Sequence, residues 1–255
     1  MLPVFVINYT PFKERLSDTL NALSLSNLAS NVSVVSAWDK EDLNPALLEY
    51  DNLRLWQKKL PIIYPVLAAN ARMFKAEISL DVIGYRLPVV YPEWAKARTL
   101  SAGEFSVLLK HYYAISSIAI SGASHGLVFE DDVRARLSSR RDISQCIAEA
   151  MEASIDYLDL AGGCQLTPYA DEYQSASSKI AILRVPRTRT VAAYMMSRRM
   201  AHMISNLFMP LIFPIDWHIQ YIMLQVEDLK CGWTIKPPLI HGSEEGLIKS
   251  WRLRS

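Results

Sequence analysis

The chain is short of cysteine, of net charge and of uninterrupted apolar sequence, and each shortage closes off a class of function. Its three cysteines, Cys146, Cys164 and Cys231, are widely spaced and odd in number. They form neither a disulfide framework nor a zinc-site spacing, and they point to a reducing compartment. A formal net charge of +1 over 255 residues argues against a dedicated nucleic-acid binder. The most apolar later stretch, residues 204–224, is interrupted by Pro210, Pro214, Asp216 and His218, so no spanning helix is expected there. Met1-Leu-Pro-Val-Phe-Val-Ile7 is also apolar, but it lacks the basic leader and small-residue cleavage site of a signal peptide. A cytoplasmic protein is expected. Lys249, Arg252 and Arg254 beside Trp251 offer a peripheral membrane contact, or simply a frayed basic end. No internal repeat, low-complexity tract or strong linker is evident.

What is present is ordinary globular material. Hydrophobic residues make up 51% and charged residues 21%, enough to bury one large core or two small ones. The run Val4-Phe-Val-Ile7 reads as a strand, residues 13–25 as a helix with Leu16, Leu20 and Leu23 at helical spacing, and Val32-Ser-Val-Val35 as a second strand. Strand, helix, strand in that order predicts a parallel βαβ unit. Residues 41–59 and 66–78 read as helices within a proline-punctuated insertion. Ser101 with Glu104 makes a capping-box pattern ahead of Phe105, Leu108, Leu109, Tyr112, Ile115 and Ile118 on one helical face. Later segments predict a helix over 142–153, strands over 157–160, 179–185 and 190–196, a helix from Arg198 capped by Ser197, and a further segment opened by Pro214-Ile-Asp-Trp-His218. Trp233-Thr-Ile235 and Pro237-Pro-Leu-Ile-His-Gly242 lead to a charged tail.

The most informative stretch is Leu127-Val-Phe-Glu-Asp-Asp-Val133, where Glu130, Asp131 and Asp132 follow a buried strand. Adjacent ionised carboxylates repel, and a hard divalent cation with oxygen ligands removes the repulsion. A solvated turn is the plain alternative. Ligands of open α/β sheets gather at the carboxyl ends of the strands. That rule puts residues 8–10, 36–39 and 130–132 on one edge.

Several blocks, taken in order, resemble glycosyltransferase family 25, the lipooligosaccharide-type glycosyltransferases. The opening strand Val4-Phe-Val-Ile-Asn8 with Arg15 in the following helix is one, and Ala37-Trp-Asp39 after the second strand is another. The central block is Leu100-Ser-Ala-Gly-Glu-Phe-Ser-Val-Leu-Leu-Lys-His111, followed by Phe129-Glu-Asp-Asp132, Tyr194-Met-Met-Ser-Arg198, Pro214-Ile-Asp216 and Pro237-Pro-Leu-Ile240. Two departures stand out: Lys110 replaces the family's usual Ser, and Ser106-Val107 its Gly-Cys.

The resemblance implies an α/β, GT-A-type glycosyltransferase fold, a Rossmann-like mixed sheet flanked by helices, in a single domain over 1–255. A nucleotide-sugar-binding half would span about 1–135, with an unassigned insertion near 40–98, and an acceptor-binding half about 136–255. It implies inverting transfer from a nucleotide-sugar donor, a UDP-hexose such as UDP-galactose, to a bacterial surface glycan or glycolipid of lipooligosaccharide, LPS or capsule type. The implied setting is the cytoplasm or the cytoplasmic face of the inner membrane. The implied cofactor is a divalent cation, Mn2+ or Mg2+.

Asp132, Asp131 and His241 are the candidate metal ligands. Asn8, Thr10, Arg15, Asp39, Glu104, His111, Glu130 and Asp131 are the candidate donor contacts. Asp216, a carboxylate in an apolar stretch, is the candidate general base. Each residue has a plainer alternative: turn chemistry for Asn8 and Thr10, a solvated helix face for Arg15, capping for Glu104 and Asp216, core packing for His111, a loop for His241. Arg134, Arg136, Arg140 and Arg141, and Arg184, Arg187 and Arg189, would meet an anionic acceptor or a membrane, or line a solvated edge. Two other functions fit the acids: a non-catalytic sugar-nucleotide or glycan binder of the same fold, and a metal-dependent phosphohydrolase.

Overall fold

A computed structural model describes residues 2–43, 101–135, 140–163, 166, 172–208, 214–243 and 246–248. The helices expected over 41–59 and 66–78 lie, from residue 44 on, outside the described residues, as do Arg136 and the basic residues beyond 248.

The first βαβ unit forms as its pattern predicts. Strand β1 spans Val4–Ile7, helix α1 Lys13–Leu25 and strand β2 Val32–Val35, and β1 pairs with β2 in parallel. Helix α2 spans Ala102–Ile120 and opens with the full capping box: the Ser101 hydroxyl accepts from Glu104 N and the Glu104 carboxylate accepts from Ser101 N. Strand β3, His125–Glu130, follows and joins β1 in parallel. Strand β4 is Val133–Ala135, helix α3 Arg140–Glu152, strand β5 Tyr157–Asp159 and strand β6 Ala161–Gly162. Strands β7, Tyr173–Ala176, β8, Ile180–Leu183, and β9, Ala193–Ser197, lead to helix α4, Arg198–Leu207, which is capped by the Ser197 hydroxyl. Helix α5, Ile215–Met223, strand β10, Cys231–Thr234, and strand β11, Leu239–His241, complete the order.

Eight strands form one mixed sheet, ordered β2-β1-β3-β9-β5-β10-β8-β7. Strand β9 runs antiparallel between β3 and β5. Three short strands form a second sheet, β4-β11-β6. Side chains alternate between the two faces of the large sheet, as strand geometry requires. Phe5, Ile7, Val128, Tyr194 and Met196 pack with α2, α4 and α5, while Val4, Val6, Leu127, Phe129 and Met195 pack toward α3 on the other side. The fold is therefore the expected α/β arrangement, a Rossmann-like mixed sheet flanked by helices. Helix α2 is buried nearly all round, with Leu108, Leu109, Ile115 and Ile118 fully enclosed. Each such side chain contributes about 1.5–3 kcal/mol of burial.

Three differences between the sequence pattern and the structure bear on the residues singled out above. Strand β9 begins at Ala193 rather than Thr190, because Val191 sits in the left-handed region at φ 48° and breaks the strand. That conformation costs a β-branched residue about 1–3 kcal/mol. Pro214 occupies the N-cap position of helix α5 without a side-chain cap bond and Asp216 lies in the first turn, so the capping alternative for Asp216 gives way to a favourable charge at a helix N-terminus. Arg134 lies in a strand rather than on a helix edge, and its guanidinium bonds the Val133 carbonyl at 2.9 Å and pairs with Asp18 at 3.1 Å.

His218 of α5 is fully enclosed, with its Nε2 2.7 Å from the Phe208 carbonyl. Burial, partly offset by that hydrogen bond, pushes it from 6.5 down to about 4. A base depressed by folding stabilises the protein fully above its unfolded pKa, and the contribution is lost as pH falls through the folded one. Between those limits His218 accounts for about 3 kcal/mol. Urea unfolding of wild type and His218→Gln at about pH 7 and about pH 4.5 should show the gap between them narrowing in acid. Parallel losses in the two proteins would contradict this account.

Candidate active site

The acids stand where β3 leaves the sheet, beside the loops after β1 and β2, and each carboxylate has a different set of partners. Glu130 is the last residue of β3, and its backbone N–H bonds the Ala192 carbonyl at 2.7 Å. Its carboxylate lies 3.2 Å from His111 Nε2 through Oε1 and 3.8 Å from His241 Nε2 through Oε2.

Asp131 turns toward β1 and α1. Its Oδ2 accepts the Tyr9 N–H at 2.8 Å and its Oδ1 lies 3.3 Å from Arg15 Nη1. Its carbonyl accepts the Thr19 hydroxyl at 3.0 Å. Burial, reinforced by Asp132 and Glu130, pushes its carboxyl up to about 7 against the pull of the Tyr9 N–H and Arg15.

Asp132 turns the other way. Its Oδ2 lies 3.2 Å from His241 Nε2. Its Oδ1 is buried with no hydrogen-bond partner among the described residues. Burial alone would raise its pKa, but the bonds from His241 and Ser243 and the charges of His241 and Arg15 outweigh burial and hold it below the usual carboxylate range.

The small sheet delivers His241. Strand β11 pairs antiparallel with β4, placing His241 opposite Val133, and parallel with β6. The fit leaves no room for side chains at two glycines. A Cβ on Gly242 would lie 2.7 Å from the Asp132 carbonyl oxygen, and one on Gly163 would lie 2.6 Å from Thr190 Cγ2 and 3.2 Å from His241 Cβ. Ligand atoms of Glu130, Asp132 and His241 all lie within 4.8 Å of one another. Two carboxylates and an imidazole suit a divalent transition metal, and the Oδ1 of Asp132 supplies an acceptor that no donor among the described residues fills. The three residues fit a cation.

The other predicted residues fall into two groups. Asn8, Thr10 and Asp39 meet at the ends of β1 and β2: Thr10 N–H donates to Asp39 Oδ2 at 3.1 Å, and the buried Asn8 Oδ1 has no partner among the described residues. Arg15 joins them through Asp131. His111 reaches Glu130 but is fully enclosed. Glu104 is folded back on Ser101 in the capping box, apart from the acid–histidine cluster. Asp216 belongs to another neighbourhood. Its carbonyl accepts the Thr188 hydroxyl at 2.9 Å, and it lies within electrostatic reach of Asp159.

Pattern reading missed several contributors. Lys110, noted only as a departure from the family, is buried and bonds the Asn8 carbonyl at 2.6 Å and the Asp39 carboxylate, stitching the first two strand ends together. Burial lowers its pKa while Asp39 pulls it back up. Asp159 at the end of β5 is fully buried, and its Oδ2 accepts the Arg189 N–H at 2.6 Å and the Tyr157 hydroxyl at 3.2 Å. Burial pushes it up to about 6 despite Arg189, with Asp216 adding to the rise. A lone carboxylate inside Tyr157-Leu-Asp-Leu160 was the available signal. Arg187 and Arg189 each stand 4.6 Å from the Trp233 ring, so neither lines a freely solvated edge.

No family model matches the chain, and no curated protein sequence does either. Among solved structures, an apo UDP-glucose pyrophosphorylase aligns over 92% of this chain and 90% of its own at 8% identity, with a TM-score of 0.46. A UDP-glucose pyrophosphorylase from Acinetobacter baumannii aligns over 96% and 90% at 10% identity and TM-score 0.46. A UTP-bound form from the same organism aligns over 98% and 92% at 12% identity and TM-score 0.45. Likeness this distant says nothing about what the present chain binds.

Asp131 ties the acidic turn to β1 and α1, so its removal deletes the acceptor of the Tyr9 N–H and one partner of the Arg15 guanidinium. Asp131→Ala is expected to lower the unfolding free energy by about 2 kcal/mol or more. Urea denaturation measures it, and an unchanged midpoint would remove Asp131 from this structural role.

Proposed function

We propose that the protein is a metal-dependent, inverting glycosyltransferase that uses a nucleotide-sugar donor, a UDP-hexose such as UDP-galactose, and a bacterial surface glycan or glycolipid acceptor. The observation that carries the reading is the Glu130–Asp132–His241 cluster at the carboxyl end of a buried parallel strand, beside the loops of Asn8, Thr10 and Asp39. Carboxyl ends of parallel strands are where α/β sheets take ligands. The blocks that resemble glycosyltransferase family 25 include Asn8, Asp39, Glu130 and Asp132 and end one residue before His241.

Asp132, His241 and Glu130 would hold the cation, Mn2+ in preference to Mg2+ because one ligand is an imidazole. A cation bound there supplies positive charge where a diphosphate leaving group gains negative charge. Asn8, Thr10 and Asp39 would border the nucleoside, with Arg15 and Lys110 fixing the loops beneath it. Asp216 would accept the proton of the attacking hydroxyl. It stands half-buried in the first turn of α5, within electrostatic reach of the buried Asp159. No helix among the described residues is long and apolar enough to cross a membrane. A glycolipid acceptor would therefore be met at a membrane surface.

The test is a screen of UDP- and CMP-sugars, with and without Mn2+, followed by transfer assays on the best donor. Asp132→Ala is expected to abolish transfer while circular dichroism stays native. Full turnover in that variant would end its assignment as a ligand. Calorimetric binding of the donor without any transfer or hydrolysis would instead favour the non-catalytic binder, and release of phosphate from simple esters the phosphohydrolase.

A further inference from the structure

A row of fully buried polar side chains runs beneath the acidic edge. The His111 ring lies between Glu130 and Tyr194, with Nε2 3.2 Å from Glu130 Oε1 and Nδ1 3.0 Å from the Tyr194 hydroxyl. The His111 and Tyr194 rings stack at 5.8 Å with planes 18° apart. Tyr194 stacks in turn on Tyr157, whose hydroxyl bonds Asp159. Solvent exposure of His111, Tyr194 and Tyr157 is 0%, so none of the three can touch a donor.

For a neutral ring beside an ionised carboxylate, hydrogen-bond capacity assigns the proton. A carboxylate only accepts, so the nitrogen facing Glu130 must bear hydrogen. In a neutral imidazole the other nitrogen then accepts, and the Tyr194 hydroxyl must be its donor. Every donor in the row is matched to one acceptor. With Oε1 occupied by the His111 N–H, Glu130 presents Oε2 toward His241.

We propose that His111 and Tyr194 are positioning residues: Tyr194 locks His111 in its Nε2–H tautomer, and His111 holds Glu130 as a one-oxygen ligand for the cation that Asp132 and His241 share. This rests on the metal reading given above. It moves His111 from donor contact to support, and it gives Tyr194 a role that its place in a strand core does not suggest. Hydrogen bonds behind a ligand fix its orientation, and losing one typically costs about ten- to a hundred-fold in metal affinity.

Tyr194→Phe keeps the ring and its stacking and removes only the hydroxyl. Calorimetric titration with Mn2+ should show its affinity falling about ten- to a hundred-fold relative to wild type. Tyr157→Phe, an equally buried ring that bonds Asp159 instead, should leave the affinity unchanged. Histidine 15N chemical shifts of the metal-free wild type, with His111 assigned against His111→Gln, should show the Nε2–H tautomer, and Tyr194→Phe should shift it. The wild-type tautomer needs no metal and can be read even if Tyr194→Phe folds poorly. A wild type that takes up no Mn2+ overturns the metal reading and this inference together. A wild type that binds, beside a Tyr194→Phe that binds equally well, overturns the inference alone, as does a wild-type His111 protonated at Nδ1 only.

Discussion

Three carboxylates in succession at the end of a buried strand set the terms for everything around them. They cannot all remain ionised in a dry environment without separate partners. The turn after β3 separates them in direction: Asp131 toward α1 and Arg15, Asp132 toward β11 and His241, Glu130 toward the helix that carries His111. Each direction recruits a different element. The acidic turn is thus the joint at which the first βαβ unit, the long central helix and the small sheet are held in register, as well as the place where a cation fits.

The fold was legible wherever one residue period dominated. Leu16, Leu20 and Leu23 predict α1, and Ser101 with Glu104 marks the start of α2 because a capping box is a local hydrogen-bond device that needs no tertiary context. The short strands were harder. Tyr173–Ala176 is mostly exposed and carries no apolar alternation, and Val133–Ala135 is too brief to show a period. Both exist because a neighbouring strand offers them hydrogen bonds, which is information held elsewhere in the chain. Val191 illustrates the same limit: nothing in its side chain announces a left-handed backbone, and only the packing of its surroundings imposes one.

The candidate site was legible in part for the same reason. Acidic residues after an apolar strand, and a histidine after Pro237-Pro-Leu-Ile, are visible as departures from their apolar context. Which acid faces which partner is not, because adjacent residues at a strand end point in opposite directions and the turn decides between them. Glu130, expected as a donor contact, lies with Asp132 and His241, whereas Asp131, expected both as a metal ligand and as a donor contact, is tied to Tyr9 and Arg15. Lys110 was readable only as an oddity. Its use as a brace between the ends of β1 and β2 depends on a helix position that brings it beneath both.

The small sheet has a consequence for how the protein comes into being. The acids stand at the end of β3, but the imidazole that joins them arrives much later in the chain, on β11, where the following Gly242 N–H bonds the Asp132 carbonyl at 2.9 Å. The grouping of Glu130, Asp132 and His241 is therefore a property of the folded chain and of no local segment of it, so metal uptake would report long-range folding.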